Sequence, residues 1–129
     1  MMMSRKVVSS PSAPAAAGPY SHAIVANGFV FTAGQVGLDP ATGQLAEGGI
    51  EAQARQALQN VKAVLESAGT TLDNVVKVNV YLKNMDDFAT MNEVYATFFY
   101  QSPPARTTVE VARLPIGALI EIEMVALLP

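Results

Sequence analysis

The segments RTTVEVA at 106–112 and LIEIEMVAL at 119–127 decide the fold of this 129-residue chain, because both alternate along their length. Successive side chains of a β-strand point to opposite faces, so each segment predicts a strand with two different faces. One face of the second strand is wholly apolar and consists of Ile120, Ile122, Met124 and Ala126. The other face mixes carboxylates with apolar side chains and consists of Leu119, Glu121, Glu123, Val125 and Leu127. The first strand alternates between Thr107, Val109 and Val111 on one side and Arg106, Thr108 and Glu110 on the other.

Two amphipathic helices are predicted upstream of these strands. The first runs from Ile50 to Ala68, where apolar residues recur at helical spacing, and Gly69 follows as its C-terminal glycine. The second starts at Asp86 or Asp87, either of which can cap it, and ends near Tyr100 before Pro103-Pro104. Its predicted inward-facing residues are Phe88, Met91, Val94 or Tyr95, and Phe98.

The remaining elements are short strands and a loop. VVKVNVYLK at 75–83 alternates, with Val76, Val78, Val80 and Leu82 predicted on one face. Asn27-Gly28 lies between two β-rich runs and predicts a hairpin across residues 21–35. Lys6–Val8 is predicted as a short strand, and the glycine-rich segment at 37–49 as a loop.

The predicted order β, β-hairpin, α, β, α, β, β indicates an α+β fold in which two helices cover one face of a sheet. We expect the uncovered face to carry Arg106, Thr108, Glu110, Glu121 and Glu123 among apolar neighbours. Such a face is too apolar for water and too charged for a monomer core. Burial against another copy of the chain satisfies both constraints.

Composition bounds the class of protein. Half of the residues are apolar and 15% are charged, which favours one globular domain over residues 1–129. No apolar run approaches the ~20 residues of a membrane-spanning helix. The first twenty residues hold two basic and no acidic side chains and lack the apolar core of a secretory signal, so we expect a cytoplasmic protein.

Several chemistries are excluded or disfavoured by residue counts. The chain has no cysteine and one histidine, His22, so thiolate catalysis and multi-histidine or cysteine metal sites are excluded. We expect no metal and no cofactor. The net charge is −3 and the basic residues are scattered, which argues against nucleic-acid binding.

Several residues are candidates for chemistry, each with a plainer reading beside it. Arg106 is either a strand-edge arginine in water or a fork for a planar anion. Glu121 and Glu123 are either solvated or placed to activate water. Tyr20 follows a rigid Gly-Pro turn and is ordinarily a packing residue. Gly34 is predicted inside a strand, where a glycine often marks the close approach of another backbone or a ligand.

Five ordered segments resemble the RidA family, the YjgF-type deaminases also called endoribonuclease L-PSP. They are GPYSHAI at 18–24, FTAGQVGLDPATGQL at 31–45, ARQALQNVKAVLESAG at 54–69, VVKVNVYLKNMDDFATMNEVY at 75–95 and PPARTTVEVARLPIGALIEIEM at 103–124. The resemblance implies a chorismate-mutase-like fold with two helices on a mixed sheet. It also implies a homotrimer with a central barrel-like core and three sites between subunits.

The resemblance further implies hydrolysis of 2-enamines and 2-imino acids, such as 2-aminoacrylate and 2-iminobutanoate, to 2-oxo acids and ammonia. By the same resemblance, Arg106 would grip the substrate carboxylate and Glu121 would activate water. Tyr20 and Gly34 would line the cleft, and Phe88 and Asn92 would lie near it. Ala33 stands where many members have serine, and Thr108 where many have cysteine. We expect activity to survive both departures, with substrate preference altered.

Two other functions stay open at this level. The older family name implies an endoribonuclease on single-stranded RNA, against which the acidic charge and the lack of a basic aromatic surface argue. The third reading is a non-catalytic protein of sensor or chaperone type that binds 2-oxo acids. Ammonia release from a freshly generated imine distinguishes the deaminase from the binder.

Overall fold

Seven strands form one mixed sheet in a computed structural model that describes residues 4–129; residues 1–3 lie outside the described residues. The strands are β1 (Lys6–Val8), β2 (Ala23–Ala26), β3 (Phe29–Thr32), β4 (Gln35–Val36), β5 (Val75–Leu82), β6 (Ala105–Glu110) and β7 (Ile120–Leu127). Their spatial order is β1-β2-β3-β7-β5-β6, with β4 beside β7. All pairs are antiparallel except β5–β6, which is parallel.

Two helices, α1 (Gly49–Ala68) and α2 (Phe88–Phe98), cover one side of this sheet. The predicted α+β class is therefore confirmed. The core between the layers includes fully buried side chains from both helices and from the central strands, among them Leu58, Val61, Leu65, Val78, Val80, Met91, Ile120 and Ile122. We call the side under the helices the helix face of the sheet and the other side its open face.

The long helix ends and the hairpin turns as predicted. Gly69 closes α1 with φ 96°, in the left-handed region where glycine meets no steric penalty. Asn27 and Gly28 have φ values of 51° and 80°, the pair of positive angles that a two-residue type I′ hairpin requires. The apolar face of β7 is also confirmed, because Ile120, Ile122, Met124 and Ala126 are all buried.

The second helix differs from the prediction at its start. The side chain of Asn84 accepts a hydrogen bond from the backbone N–H of Asp86 and caps a 3₁₀ turn at Met85–Asp87. The helix α2 then begins at Phe88 without a side-chain cap, so the predicted capping by Asp86 or Asp87 is wrong. Phe88 lies in this first turn and is 40% exposed, so its predicted burial is also wrong.

A β-bulge in β5 changes which valine is buried. The register with β7 advances from Val75 opposite Ala126 to Lys77 opposite Val125, so β5 holds one extra residue. An extra residue inverts the alternation on its N-terminal side. Val75 is therefore buried and Val76 is 38% exposed, whereas unbroken alternation predicts Val76 on the same face as the buried Val78.

The predicted faces of β6 are reversed. β6 lies beside β5 with Arg106 opposite Val78 and Thr108 opposite Val80, and these two valines are buried on the helix face. Arg106, Thr108 and Glu110 therefore lie on the helix face, and the prediction that they share the open face with Glu121 is wrong. The alternation itself is correct. The error was to assign the more apolar set of side chains to the covered side at an edge strand.

Within residues 4–129 no helix is long and apolar enough to cross a membrane.

His22 is buried and has a structural role. Its Nδ1 accepts a hydrogen bond from the backbone N–H of Ser10 at 2.9 Å, and its Nε2 lies 2.7 Å from the carbonyl oxygen of Pro14. The ring thereby ties the segment before Tyr20 to the sheet.

Candidate functional site

The site residues expected from the sequence fall into two groups on opposite faces of the sheet. Arg106 and Thr108 of β6 lie on the helix face, where they face Phe88 and Asn92 of α2. Glu121 lies on the open face, where it is paired with Tyr81 across β5 and β7. We call these groups the arginine half-site and the glutamate half-site.

Aromatic and sulfur groups of α2 frame the guanidinium of Arg106. Its Cζ lies 4.6 Å from the ring centroid of Tyr95 and 5.6 Å from that of Phe88. Its Nη1 lies 4.0 Å from the sulfur of Met91. Cation–π contacts at these distances fix the guanidinium plane without neutralising its charge. The half-buried arginine is thereby held rigidly against the helix.

The charge of Arg106 has no acidic partner within residues 4–129, where the only ion pair joins Arg55 to Glu51. A partly desolvated guanidinium without a carboxylate presents its N–H fork to an external anion. A carboxylate or phosphate group would be such an anion. The arrangement supports the anion-binding reading of Arg106 over the plain strand-edge reading.

Three buried polar atoms in the same layer lack hydrogen-bond partners among the described residues: Asn92 Oδ1, Tyr95 OH and Thr108 Oγ1. Buried polar groups are normally paired, because an unpaired one costs about 1–3 kcal/mol. Burial raises the pKa of the Tyr95 hydroxyl, although the charge of Arg106 opposes the shift. Tyr95 therefore stays a neutral hydroxyl at physiological pH. Orphaned groups of this kind beside a free guanidinium are typical of a ligand site.

The glutamate half-site is a pocket of about 230 Å³. Tyr20, Gly34 and Glu121 line it, as the sequence resemblance implies, and Leu38, Pro115 and Ile116 are also part of its wall. Tyr20 is half-exposed, and its hydroxyl accepts a hydrogen bond from the backbone N–H of Ala17 at 3.2 Å. The pocket is thus mainly apolar around one carboxylate.

Gly34 lies directly beneath the carboxylate of Glu121, between β3 and β4. A Cβ at this position would be 2.7 Å from Glu121 Oε2, closer than real Cβ atoms come to any neighbour. A group does approach this glycine closely, but it is a side chain of the same chain and not the backbone or ligand that was predicted. Gly34 also lies between two strands and not inside one. Ala33, just before it, donates its backbone N–H to the carbonyl of His22 at 2.9 Å. The hydroxyl of Thr32 accepts from the backbone N–H of Met124 and belongs to the sheet.

Replacing Gly34 with alanine should push the Glu121 carboxylate out of place. We expect turnover of an imine substrate to fall by about 10–10²-fold, because displacements near 1 Å have effects of that size. Gly18→Ala is the matched control, since a Cβ there meets its nearest neighbour, Tyr20, at an ordinary 3.5 Å. Equal rates in the two variants would mean that the position of Glu121 is unimportant.

Two causes raise the pKa of Glu121 above its ordinary value: burial first, and then the negative charge of Glu123. Glu123 is itself fixed on the open face. Its Oε1 accepts hydrogen bonds from Tyr81 OH at 2.8 Å and from Asn79 Nδ2 at 3.1 Å. A raised pKa makes this carboxylate a stronger proton acceptor than an ordinary surface carboxylate, which suits a general acid–base group.

Sequence reasoning missed Tyr95 as a partner of Arg106 and Ile116 as a pocket residue. Tyr95 follows Asn92 by three residues and Phe88 by seven, so helical spacing placed all three on one face. That pattern could have found Tyr95. Ile116 had a weaker indication, its position between Pro115 and Gly117, which predicts a turn but not where the turn lies.

The role of the Tyr95 ring, which stacks on Arg106, can be tested separately from that of its hydroxyl. Tyr95→Leu removes the ring and should raise KM about tenfold with a smaller change in kcat, because the guanidinium loses its support. Tyr95→Phe keeps the ring and should stay within about threefold of the parent KM, as a cation–π contact is worth about 1–2 kcal/mol. Steady-state kinetics on both variants tests this. Equal KM values for the two would show that the ring does not position Arg106.

No group of three or more His, Cys, Asp or Glu within residues 4–129 is placed to hold a metal ion. The two half-sites contain one arginine, one carboxylate with a raised pKa, and neutral polar groups around them. Such groups can bind an anion and transfer protons.

Comparisons with known proteins agree on one family. The profile of the family described as endoribonuclease L-PSP matches residues 10–128. A RutC family protein of Pyrococcus horikoshii is 55% identical over 95% of this chain and 97% of its own length. A mouse protein named 2-iminobutanoate/2-iminopropanoate deaminase is 50% identical over 95% of this chain and 90% of its own. The crystal structure of RidA from an Antarctic Psychrobacter superposes with a TM-score of 0.91 at 43% identity, covering 95% of this chain and 98% of that one.

Proposed function

This chain belongs to the RidA family, also described as endoribonuclease L-PSP, and on that premise we propose that it hydrolyses 2-enamine and 2-imino acids to 2-oxo acids and ammonia. Mammalian relatives that are 46–50% identical to it carry the name 2-iminobutanoate/2-iminopropanoate deaminase. The observation that supports the proposal most is the unpaired guanidinium of Arg106, framed by aromatic rings and without a carboxylate among the described residues. A 2-imino acid supplies the missing carboxylate.

Arg106 and Glu121 of one chain cannot act on the same small molecule. Arg106 is level with Val78 and Glu121 with Tyr81, so the two positions differ by three residues along β5. They are two strands apart, and these offsets amount to about 10 Å along the strands and about 10 Å across them. The side chains also point to opposite faces. The carboxylate and the imine carbon of the substrate are directly bonded. The side chains of Arg106 and Glu121 must therefore contact neighbouring atoms of one small molecule.

A site shared between copies resolves this separation. We propose a homotrimer in which the arginine half-site of one subunit meets the glutamate half-site of its neighbour. The open face has large apolar side chains that need a cover, since Val109 and Val76 are 40% and 38% exposed. Contact between copies would bury such residues and exclude water from the cleft.

The reaction then uses the two half-sites in sequence. Arg106 binds the carboxylate of the protonated imine and fixes its plane. Glu121 takes a proton from water as the water oxygen attacks the imine carbon, which gives a tetrahedral carbinolamine. Glu121 gives that proton to the nitrogen and then takes the hydroxyl proton as the C–N bond breaks, the C=O bond forms and ammonia leaves. The released ammonia takes this last proton from Glu121, which returns to its carboxylate form. One protonated imine and one water give one 2-oxo acid and one ammonium ion.

The experiment that tests this function generates the imine in place. Threonine dehydratase or an amino-acid oxidase supplies it, and the rate of ammonia and 2-oxo acid formation is followed with and without the protein. We expect a rate proportional to protein concentration and above that of spontaneous hydrolysis. Binding of 2-oxobutanoate without acceleration would instead identify a non-catalytic binder. Cleavage of RNA by the purified protein, lost on Arg106→Ala, would favour the nuclease.

A further inference from the structure

We infer that Ile116 is a specificity residue: its side chain forms the wall against which the aliphatic side chain of a bound 2-imino or 2-oxo acid packs. The inference rests on the proposed function for the identity of the ligand and deepens it by naming a residue that sets the preference for the ligand side chain. Neither the RidA resemblance nor the comparisons assign a role to this position.

The backbone at Ile116 is strained. It lies in the 3₁₀ turn Pro115–Gly117 with φ 53° and ψ 26°, in the left-handed region. Asparagine and glycine tolerate this region, whereas it is a genuine outlier for a β-branched residue. Such strain persists only where the surrounding structure imposes it, and it concentrates at ligand sites.

The side chain of Ile116 adds a second cost, because it is 63% exposed. A strained and exposed isoleucine contributes little to the stability of the folded chain. The location of Ile116 explains the presence of isoleucine at this position better than side-chain packing does, since Ile116 and Glu121 line the same pocket. Folding stability alone would favour glycine or asparagine here.

The geometry of the reaction indicates what Ile116 contacts. The carboxylate of the ligand is held by Arg106 and the imine carbon is placed at Glu121, so the ligand side chain is the part left for the rest of the pocket. The pocket wall beyond Glu121 includes Leu38, Val36 and Pro115 beside Ile116. These side chains are apolar and uncharged, so this part of the pocket suits an aliphatic ligand side chain.

Calorimetric binding of 2-oxo acids with increasing chain length tests this without requiring catalysis. For the parent protein we expect Kd to fall about fourfold for each methylene from 2-oxopropanoate to 2-oxopentanoate, the factor for full burial of a CH₂ group. In Ile116→Gly and Ile116→Asn the step should shrink below twofold, because both residues suit the turn but supply no aliphatic wall. The melting temperature of both variants should not fall.

Ser102→Gly is the matched control. Ser102 also has a positive φ, 46°, but it lies beside Tyr100 and Pro104, in another surface pocket. This variant should keep the fourfold steps. Unchanged steps in the Ile116 variants, or no chain-length dependence in the parent, would overturn the inference. So would a smaller oligomer or a lower melting temperature, which would show that Ile116 serves subunit packing. Chain-length-dependent binding without ammonia release would refute the proposed function alone.

Discussion

Arg106→Ala is expected to lower kcat/KM for 2-iminobutanoate by about 10²–10³-fold while the fold stays intact. Truncating one member of a desolvated, hydrogen-bonded charge pair costs about 2–5 kcal/mol, and the expected loss lies in the middle of that range. The orientation of the substrate depends on the same contact, so both KM and kcat should suffer. Coupled ammonia release measures the rate, and thermal unfolding checks the fold.

Arg106→Lys separates charge from shape. Lysine keeps the positive charge, but it has no planar fork for a carboxylate and stacks less well on Tyr95. We expect a rate between those of the parent and of Arg106→Ala. Near-parent rates in Arg106→Ala would remove Arg106 from the site, since the structure offers it no other ionic partner within the described residues.

Glu121→Gln should lower kcat by about 10²–10⁴-fold, the usual contribution of general acid–base catalysis, with little change in KM. The parent rate should depend on pH through the same group. The carboxylate is the active base, so kcat/KM should rise with pH through the raised pKa of Glu121. Glu123→Gln removes one of the two causes of the raised pKa, so the rise of kcat/KM should occur at lower pH in this variant. A small loss in Glu121→Gln would mean that other groups position the water.

Glu121→Gln is also expected to stabilise the folded protein, although it lowers the activity. Because burial raises the pKa of the folded-state carboxyl, the folded protein binds this proton more tightly than the unfolded chain does. The ionised form is therefore destabilising, and its cost grows as pH rises through the folded pKa. Glutamine removes that cost, so the variant should melt higher than the parent at neutral pH, and the difference should shrink under acidic conditions. Loss of activity with a gain in stability is the pattern expected of a functional carboxylate.

The sequence predicted the elements better than their relation to one another. Alternation in 119–127 was enough to assign both faces of β7, because every second residue from Ile120 to Ala126 is apolar and buried. The same reasoning failed at Val76, where a bulge adds one residue and no local pattern marks it. It also failed for β6, because alternation defines two faces without saying which one the helices cover.

For the candidate site, too, single residues could be predicted from the sequence but their arrangement could not. Resemblance predicted Arg106, Glu121, Tyr20, Gly34 and the α2 residues individually as site residues, and in the structure they lie in two groups. That the half-sites lie on opposite faces follows from the pairing of β6 with β5, a non-local contact that no single segment encodes. Tyr95 and Ile116 depend on tertiary contacts and backbone strain in the same way.

Mixing of inactive subunits tests the shared site most directly. Arg106→Ala and Glu121→Gln proteins are unfolded together in equal amounts, refolded, and assayed for ammonia release. If each site takes Arg106 from one subunit and Glu121 from its neighbour, about one quarter of the sites in randomly mixed rings regain both groups. We therefore expect activity of about a quarter of the parent value from two inactive proteins. No recovery in verified mixed oligomers would contradict a site built between copies.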